Sequence, residues 1–479
     1  MRLVREDGGD ADGALLRDFE QCLALKGPDL FEPDRPITVA RGPARMDCMG
    51  GIADYSGSVV FEAPLRRAAV VAFQPGEGTT LRAYSAAMEA AGTPAEATAD
   101  LSAMRGPDGG SKSYEELNAL LTANPGTAWA AYVLGAVPVL EREAGHRFAF
   151  GGTFLVWSDV PIGVGVASSA AVEVASMYAL AAHFGLEIPG PRFAAMAQSV
   201  ENKVVGAPCG IMDQVTCALG EAGKLLALRC QPCELLGQHE LPEGVKVLGL
   251  SSRVEHRVGG AAYAAARVSA FMGLKVILRE KELRGQTIAE RDGYLCNLPP
   301  QEYLSDYRRL LPEQMTGRQF LDAYGGTTDP VTTVDPGATY RVRAGADHPV
   351  FENQRVVRFI ECMGRARRGD RTALVEAGGL MYASHWSYSW NAGLGCEETD
   401  LLVRLVRQRG AESGLYGAKV TGGGSGGTVA VLAEADAEEA VHGVAAEYES
   451  RTGLAPDVFD GSSPGAFDFG PRRYRFERE

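Results

Sequence analysis

The run Pro161-Ile-Gly-Val-Gly-Val-Ala-Ser-Ser-Ala-Ala-Val-Glu173 is built to hold a phosphate. Its small side chains and glycines leave backbone N–H groups free to close around an anion. The helix predicted over Ser168–His183 points its positive end at the same place. The run is no Walker loop, because Gly-x4-Gly-Lys-Ser/Thr occurs nowhere in the chain. Nor is it a dinucleotide fingerprint: Gly163-x-Gly165 is followed by Val166-Ala167-Ser168, where a third glycine is needed. What remains is a phosphate cradle of a third kind.

Three further segments carry chemistry-bearing residues. Gly42-Pro-Ala-Arg-Met-Asp-Cys-Met-Gly-Gly-Ile-Ala-Asp-Tyr-Ser-Gly57 presents Arg45, Asp47 and Asp54. It follows a predicted strand, so the three are expected on a short Gly-rich loop, the kind of place where folds put chemistry. The alternative is a turn with solvated charges. Glu201 through Asp213 encloses Gly206-Ala-Pro-Cys-Gly-Ile-Met212, a tight turn that aims Asp213 back toward the helix bearing Glu201. Phosphoryl transfer needs one carboxylate for a divalent cation and another to orient the hydroxyl nucleophile. A solvated helix face is the plainer reading of Glu201. In Tyr416–Thr428, five glycines fall in the six positions 422–427. A hairpin explains one or two of them; five suggest a backbone that must approach a ligand closely.

The elements that position these segments alternate between strand and helix. A polar lead and an amphipathic helix near Ala14–Lys26 precede strands at Ile37–Ala40, Val70–Phe73 and Phe148–Trp157. Residues 84–113 read as surface helix and loop. Helices follow at Ser168–His183 and near Pro191–Val204, and Arg229–Gly244 reads as a connector. A second unit opens with the strand Val245–Leu250 and a helix near Gly259–Lys275. Ala418–Leu432 reads as strand, turn and strand, and a helix over Ala435–Thr452 comes next. The class is α+β.

At 479 residues the chain implies two or three domains. Its net charge of −14 argues against nucleic acid or an anionic membrane surface as a partner, but not against a nucleotide substrate. The start has no apolar core, so no signal peptide is expected, and no run of about 18 apolar residues is evident. Nine scattered cysteines suit reduced thiols, so a cytoplasmic location is expected. Cys230-Gln-Pro-Cys233 has no second Cys or His pair to complete a zinc site and reads as ordinary thiols.

From about residue 37 onward the chain resembles the galactokinase-like branch of the GHMP small-molecule kinase superfamily. All three superfamily motifs occur in order. Trp129-Ala-Ala-Tyr-Val-Leu-Gly135, Val254-x-His256 with Tyr263, and Gly379-Leu-Met-Tyr-Ala-Ser-His385 agree with it. The resemblance implies a two-lobed GHMP kinase fold with the active site in the cleft. Its N-terminal domain is like the second domain of ribosomal protein S5, and its C-terminal domain is ferredoxin-like. Residues 1–36 would be an extension, 37–240 the ATP-binding domain and 241–479 the C-terminal domain. ATP and Mg²⁺ are the implied cofactors. Gly163, Gly165, Val166, Ala167 and Ser168 would wrap the ATP phosphates, with Trp129 also on the nucleotide. Ser169 and Glu201 would hold Mg²⁺, and Gly423 and Gly424 would close the site. Asp213 would attend the anomeric hydroxyl as base or electrostatic orienter, supported by Arg45. Gly51, Ile52, Asp54, Cys209, Gly210 and Tyr263 would line the sugar.

One departure bears on the substrate. Galactokinases carry Gly-Glu-His-Thr-Asp-Tyr where this chain has Gly50-Gly-Ile-Ala-Asp-Tyr55. The family's Glu and His contact the sugar around C6. L-Arabinopyranose shares galactose's ring hydroxyl stereochemistry but has no hydroxymethyl at C5, so Ile52 should favour the pentose. The wording of Met49–Gly57, Ala207–Gln214, Val258–Tyr263, Tyr416–Thr428 and Gly461–Gly465 is most similar to the kinase part of plant-type L-arabinokinases. The expected activity is therefore an L-arabinose 1-kinase, with a galactose kinase as the alternative. A silent sugar and ATP sensor fits less well, because Ser168, Ser169, Ala170, Glu201 and Asp213 are all kept. Two other departures stand beside it, the first expected to shift Arg45 slightly and the second without evident consequence in the sequence. Ala44 replaces a family glycine, and Ser389-Trp-Asn-Ala392 stands where galactokinases have Arg-Asp-Asp-Tyr after Ser-His.

Overall fold

The computed structural model describes residues 1–6, 13–254 and 260–478. Two long antiparallel strands, Ile37–Met49 and Val59–Pro75, form the spine of a nine-stranded sheet. Beyond Ile37–Met49 lie Arg472–Glu477 and then Arg2–Arg5; beyond Val59–Pro75 lie Gly152–Ser158, Thr80–Ser85 and Glu96–Asp100. Lys224–Arg229 pairs with the start of Val59–Pro75 and carries Glu234–Glu240 at its other side. The pairings are antiparallel except that Thr80–Ser85 runs parallel to Gly152–Ser158.

Side chains alternate across the spine with the period of a strand. Ile37, Val39, Val70, Ala72 and Leu155 pack under the helix Gly13–Leu30 through Leu16, Phe19 and Leu23. Ala40, Ala69, Val71 and Phe73 pack on the opposite face against Ala171, Val174 and Ala175 of the helix Ser168–His183. That helix lies close to the sheet because Gly42 has no side chain: a Cβ there would sit 2.4 Å from the Ala171 carbonyl oxygen.

The second lobe is a four-stranded antiparallel sheet in the order Leu415–Val420, Thr428–Glu434, Val245–Ser251, Val458–Phe459. Chain order runs strand, helix (Ala261–Leu283), two strands, helix (Glu438–Thr452), strand, which is the ferredoxin-like arrangement with a helical insertion before its second strand. The helix Ala261–Leu283 is long and apolar enough to cross a membrane, yet 72% of its apolar window is buried in this lobe. The lobes share one core. Met46, Cys48, Met49 and Phe61 of the first meet Phe359, Met363, Leu374, Ala430 and Leu432 of the second.

Several expectations change. Arg45 and Asp47 do not sit on a loop; the strand Ile37–Met49 runs through them, with register shifts at Pro43/Arg45 and Asp47/Met49. Residues 84–113 do include a short helix, Ala86–Ala90, but also the end of the strand Thr80–Ser85 and its hairpin partner Glu96–Asp100. Within Arg229–Gly244, Glu234–Glu240 is a strand. Residues 1–6 and 13–36 are woven into the first lobe, and the last strand, Arg472–Glu477, returns to it from the far end of the chain. His256 and the start of the Val258–Tyr263 motif lie outside the described residues.

Candidate active site

The strand Ile37–Met49 carries Arg45 out of the first sheet and into the cleft. Arg45 is buried, and its side chain is fully committed. Nε and Nη2 donate to Asp213 Oδ1 at 2.8 and 2.7 Å, and Nη1 donates to the Gly165 carbonyl at 2.9 Å. Its backbone N–H donates to the Val166 carbonyl at 3.1 Å. One residue therefore fixes both the carboxylate and the cradle. Burial opposes the charge of Arg45, and the Asp213, Glu62 and Asp47 carboxylates outweigh it, holding the guanidinium above its ordinary pKa. Asp213 occupies the first turn of the helix Met212–Leu219, where the helix dipole favours a negative charge.

The cradle forms a tight turn into the helix Ser168–His183. Gly163 and Gly165 have φ of +75° and +76°, and Ala167 is left-handed at +61°. A non-glycine residue there stores strain of the order found at functional sites. Ser169 Oγ donates to Glu201 Oε1 at 2.9 Å. Glu201 lies on the final, widened turn Val200–Val205 that follows the helix Gly190–Ser199. Behind it, Gln214 Nε2 donates to both Glu201 Oε2 and Glu173 Oε2, at 2.8 and 3.0 Å. Burial and the Asp213 charge push the Glu201 carboxyl up to about 7, and burial together with Glu201 pushes Glu173 well up. A hydroxyl and a carboxylate side by side are a fitting donor set for Mg²⁺, which takes one or two protein oxygens and completes its shell with phosphates and water.

Opposite the cradle, the turn Gly51–Ser56 places Asp54 against Gly210: a Cβ at 210 would lie 1.7 Å from Asp54 Oδ2. Among the described residues Asp54 Oδ1 is buried without a hydrogen-bond partner, and burial with the Asp213 charge pushes the carboxyl up to about 8. Such an orphaned acceptor suits a ligand hydroxyl. Cys209 and Gly210 are held by Asn202, whose Oδ1 accepts the Cys209 N–H at 2.7 Å, and by Arg267, which donates to the Cys209 carbonyl at 3.2 Å.

A pocket of about 60 Å³ results, lined by Arg45, Ile52, Asp54, Gly163, Gly165, Ala167, Ser168, Ser169, Glu201, Cys209, Gly210, Asp213, Tyr263 and Gly423, together with Pro208, Met212 and Gly422. Four expected residues do not line it: Val166, Gly424, Gly51 and Trp129. Val166 supplies a backbone carbonyl to Arg45 instead. Gly424 packs on Leu394, and Gly51 lies beneath the wall, where its N–H donates to Asp47 Oδ1 at 3.0 Å. Trp129 belongs to an adjoining apolar chamber of about 340 Å³ with Tyr132, Val156, Val160 and Ile162. The two cavities meet at Gly163, Ser168 and Ser169.

The glycine run has a reason the sequence did not show. Gly422 and Gly427 let the second lobe press onto the cradle: a Cβ would lie 2.7 Å from the Gly165 carbonyl oxygen and 2.9 Å from that of Val164, respectively. Sequence reasoning also missed the buried layer under the site. Lys419 Nζ pairs with Asp47 Oδ2, and Thr421 Oγ1 accepts the Asp47 N–H at 2.7 Å. Both flank the glycine run, which was the available signal.

Comparison with known proteins agrees with this architecture. Residues 131–221 match the GHMP kinases N terminal domain family and 370–450 the GHMP kinases C terminal family. The chain is 30% identical over 420 residues to the galactokinase of Chloroflexus aggregans, covering 87% of this chain and 90% of that one. The chain belongs to the GHMP kinases. This GHMP kinase is also 42% identical over 496 residues to the L-arabinokinase of Arabidopsis thaliana; the match covers 93% of the chain but 47% of the relative, so the chain spans about half that protein's length. Among solved structures, the galactokinase of Lactococcus lactis complexed with galactose shares the fold, with a TM-score of 0.73 at 20% identity, covering 94% of this chain and 98% of that one.

Proposed function

We propose that this GHMP kinase transfers the γ-phosphoryl group of ATP to the anomeric hydroxyl of L-arabinose, giving L-arabinose 1-phosphate and ADP. The observation that carries the reading is the Arg45–Asp213 pair, facing the phosphate cradle on one side and a hydroxyl-seeking Asp54 with an apolar Ile52 on the other. The adenine base suits the apolar chamber beside Trp129, from which the phosphates run over Gly163–Ser168 into the main pocket.

In the transfer, the anomeric oxygen forms a bond to the γ-phosphorus as the bond to the bridging oxygen of ADP breaks. The hydroxyl proton passes to Asp213, or Asp213 orients the hydroxyl while the proton leaves to solvent. Arg45 holds Asp213 in place with two hydrogen bonds, and its guanidinium offers charge to the phosphoryl oxygens as they develop negative character. Ser169 and Glu201 would hold Mg²⁺, which neutralises phosphate charge when bound.

Ile52 supports arabinose over galactose. The C6 hydroxyl of galactose would face an aliphatic chain, and a buried hydroxyl without partners costs about 1–3 kcal/mol, or roughly 5- to 150-fold in discrimination. The 42% identity to the Arabidopsis L-arabinokinase points the same way. The test is ATP-to-ADP turnover with Mg²⁺ against L-arabinose, D-galactose, D-glucuronate and no sugar. Arabinose leading in kcat/KM supports the proposal. Galactose leading keeps the kinase and overturns the substrate, and silence on every sugar favours a sensor.

A further inference from the structure

The segment after Ser384-His385, whose departure from the galactokinase pattern has no role so far, ends the helix Thr372–Ser387 directly under the sugar pocket. Tyr388 is its deepest residue and is fully buried. Its hydroxyl accepts the Ile52 N–H at 2.8 Å and donates to the Gly422 carbonyl at 3.0 Å. Ile52 and Gly422 stand on different walls of the main pocket and come from different lobes. The ring is fixed from two sides, edge-to-face on His348 at 5.0 Å and under Lys419 Nζ at 5.1 Å. Tyr388 also supports the wall through the backbone: Leu394 N–H donates to its carbonyl, and the Leu394 carbonyl accepts the Ser425 N–H.

The same hydroxyl excludes a side chain at position 51. A Cβ on Gly51 would lie 1.5 Å from Tyr388 Oη and 2.7 Å from its Cζ. Galactokinases, by the resemblance above, carry a glutamate at this position. The chain has thus exchanged a side chain rising from 51 for a hydroxyl arriving from position 388, which binds the backbone of residue 52 and not the sugar.

We propose that Tyr388 is the positioning residue of the sugar pocket and that Tyr388 and Gly51 are a matched pair setting its size. The proposal rests on the sugar-kinase reading and adds to it the group that holds Ile52 at the sugar. The hydroxyl has one proton and uses it on Gly422, while a lone pair takes the Ile52 N–H. Tyr388→Phe leaves two buried backbone groups unpaired, on the two walls that must meet around the sugar. The nucleoside chamber beside Trp129 shares no residue with this clamp.

The experiment compares wild type, Tyr388→Phe, Gly51→Ala, Tyr388→Leu and Gly51→Ala/Tyr388→Leu. Sugar KM, ATP KM and thermal unfolding are read for each, using the wild type's best sugar. For Tyr388→Phe the expected result is a sugar KM raised about tenfold, within the range that leaving buried backbone groups unpaired costs. ATP KM should stay within about twofold, and the preference between L-arabinose and D-galactose should narrow. For the pair, Gly51→Ala should be damaging in the wild type and distinctly milder in the Tyr388→Leu background. Backbone strain at φ +47° is common to both backgrounds and cancels in the comparison. A Tyr388→Phe enzyme that unfolds earlier but keeps its sugar KM and preference overturns the positioning role. So does an equal rise in both KM values. A Gly51→Ala penalty that is the same in both backgrounds overturns the pairing. A wild type that prefers D-galactose sinks the arabinose reading alone, because these comparisons are then made on galactose.

Discussion

Asp213 receives two hydrogen bonds from Arg45, at 2.8 and 2.7 Å, and the same guanidinium grips the Gly165 carbonyl at 2.9 Å. The carboxylate proposed to attend the sugar hydroxyl and the loop proposed to hold the phosphates therefore share one rigid support. That support comes from a strand, Ile37–Met49, whose far side is packed in the core common to both lobes. A displacement of Arg45 would misplace donor and acceptor together.

Asp213→Asn should cut kcat by about 10²- to 10⁴-fold, the range for loss of a positioned acid–base group, with little change in sugar KM. The amide oxygen still accepts from Arg45, so thermal unfolding should move less than in Asp213→Ala. In the alanine variant Arg45 stays buried beside Glu62, 3.5 Å away, without its hydrogen-bonded partner. Steady-state turnover with unfolding scans decides it. Near-normal turnover in either variant removes Asp213 from the reaction.

Ser169→Ala and Glu201→Gln should both raise the Mg²⁺ concentration needed for half-maximal activity. The two side chains are hydrogen-bonded to each other at 2.9 Å and face the cradle, so each loses one hard oxygen donor from the same place. Mg²⁺ titrations at fixed ATP give the measurement, and an unchanged midpoint counts against both assignments.

Much of this site was legible because its signals are local. The helix Ser168–His183 follows small residues and a run of helix formers, and its predicted limits match the structure. The glycine run between Leu415–Val420 and Thr428–Glu434 is equally self-contained. Arg45 and Asp47 were misplaced onto a loop because Gly42-Pro43 reads as a turn, whereas the structure absorbs it with shifts in register. The pairing of Arg2–Arg5 with Arg472–Glu477 joins opposite ends of the chain and has no local signature. Tyr388 is hidden for the same reason. Its partner Ile52 lies 336 residues away, and only the folded chain shows why residue 51 must be glycine.

Asp54 makes the folded chain less stable at high pH. Its folded carboxyl titrates at about 8, raised by burial and by the Asp213 charge, against 3.8 for the unperturbed group. Between those values the unfolded chain releases the proton and the folded chain keeps it. Stability from this group is therefore full below about pH 4 and falls as pH rises, until the loss is complete above about pH 8. Asp54→Asn should unfold at a higher temperature than wild type at pH 8, with the advantage shrinking toward pH 4, while its sugar KM rises. Unfolding temperatures across that range test it; a difference independent of pH contradicts the assignment.

Ile52 is the position where substrate choice can be changed without disturbing its support. The family pattern suggests restoring both Glu at 51 and His at 52, but a side chain at 51 meets Tyr388 Oη at 1.5 Å, so that double change should damage the pocket. Ile52→His alone keeps the backbone N–H that Tyr388 accepts and replaces the aliphatic wall with a donor and an acceptor. The ratio of kcat/KM for D-galactose over L-arabinose should rise by about fivefold or more, at the lower end of what one unpaired buried hydroxyl costs. Most of that gain should come from galactose, because the C6 hydroxyl acquires a partner while the pentose loses only apolar contact. Competition between the two sugars at subsaturating concentrations measures the ratio directly. If it does not move, C6 does not face Ile52, and the preference for a pentose must arise elsewhere in the pocket.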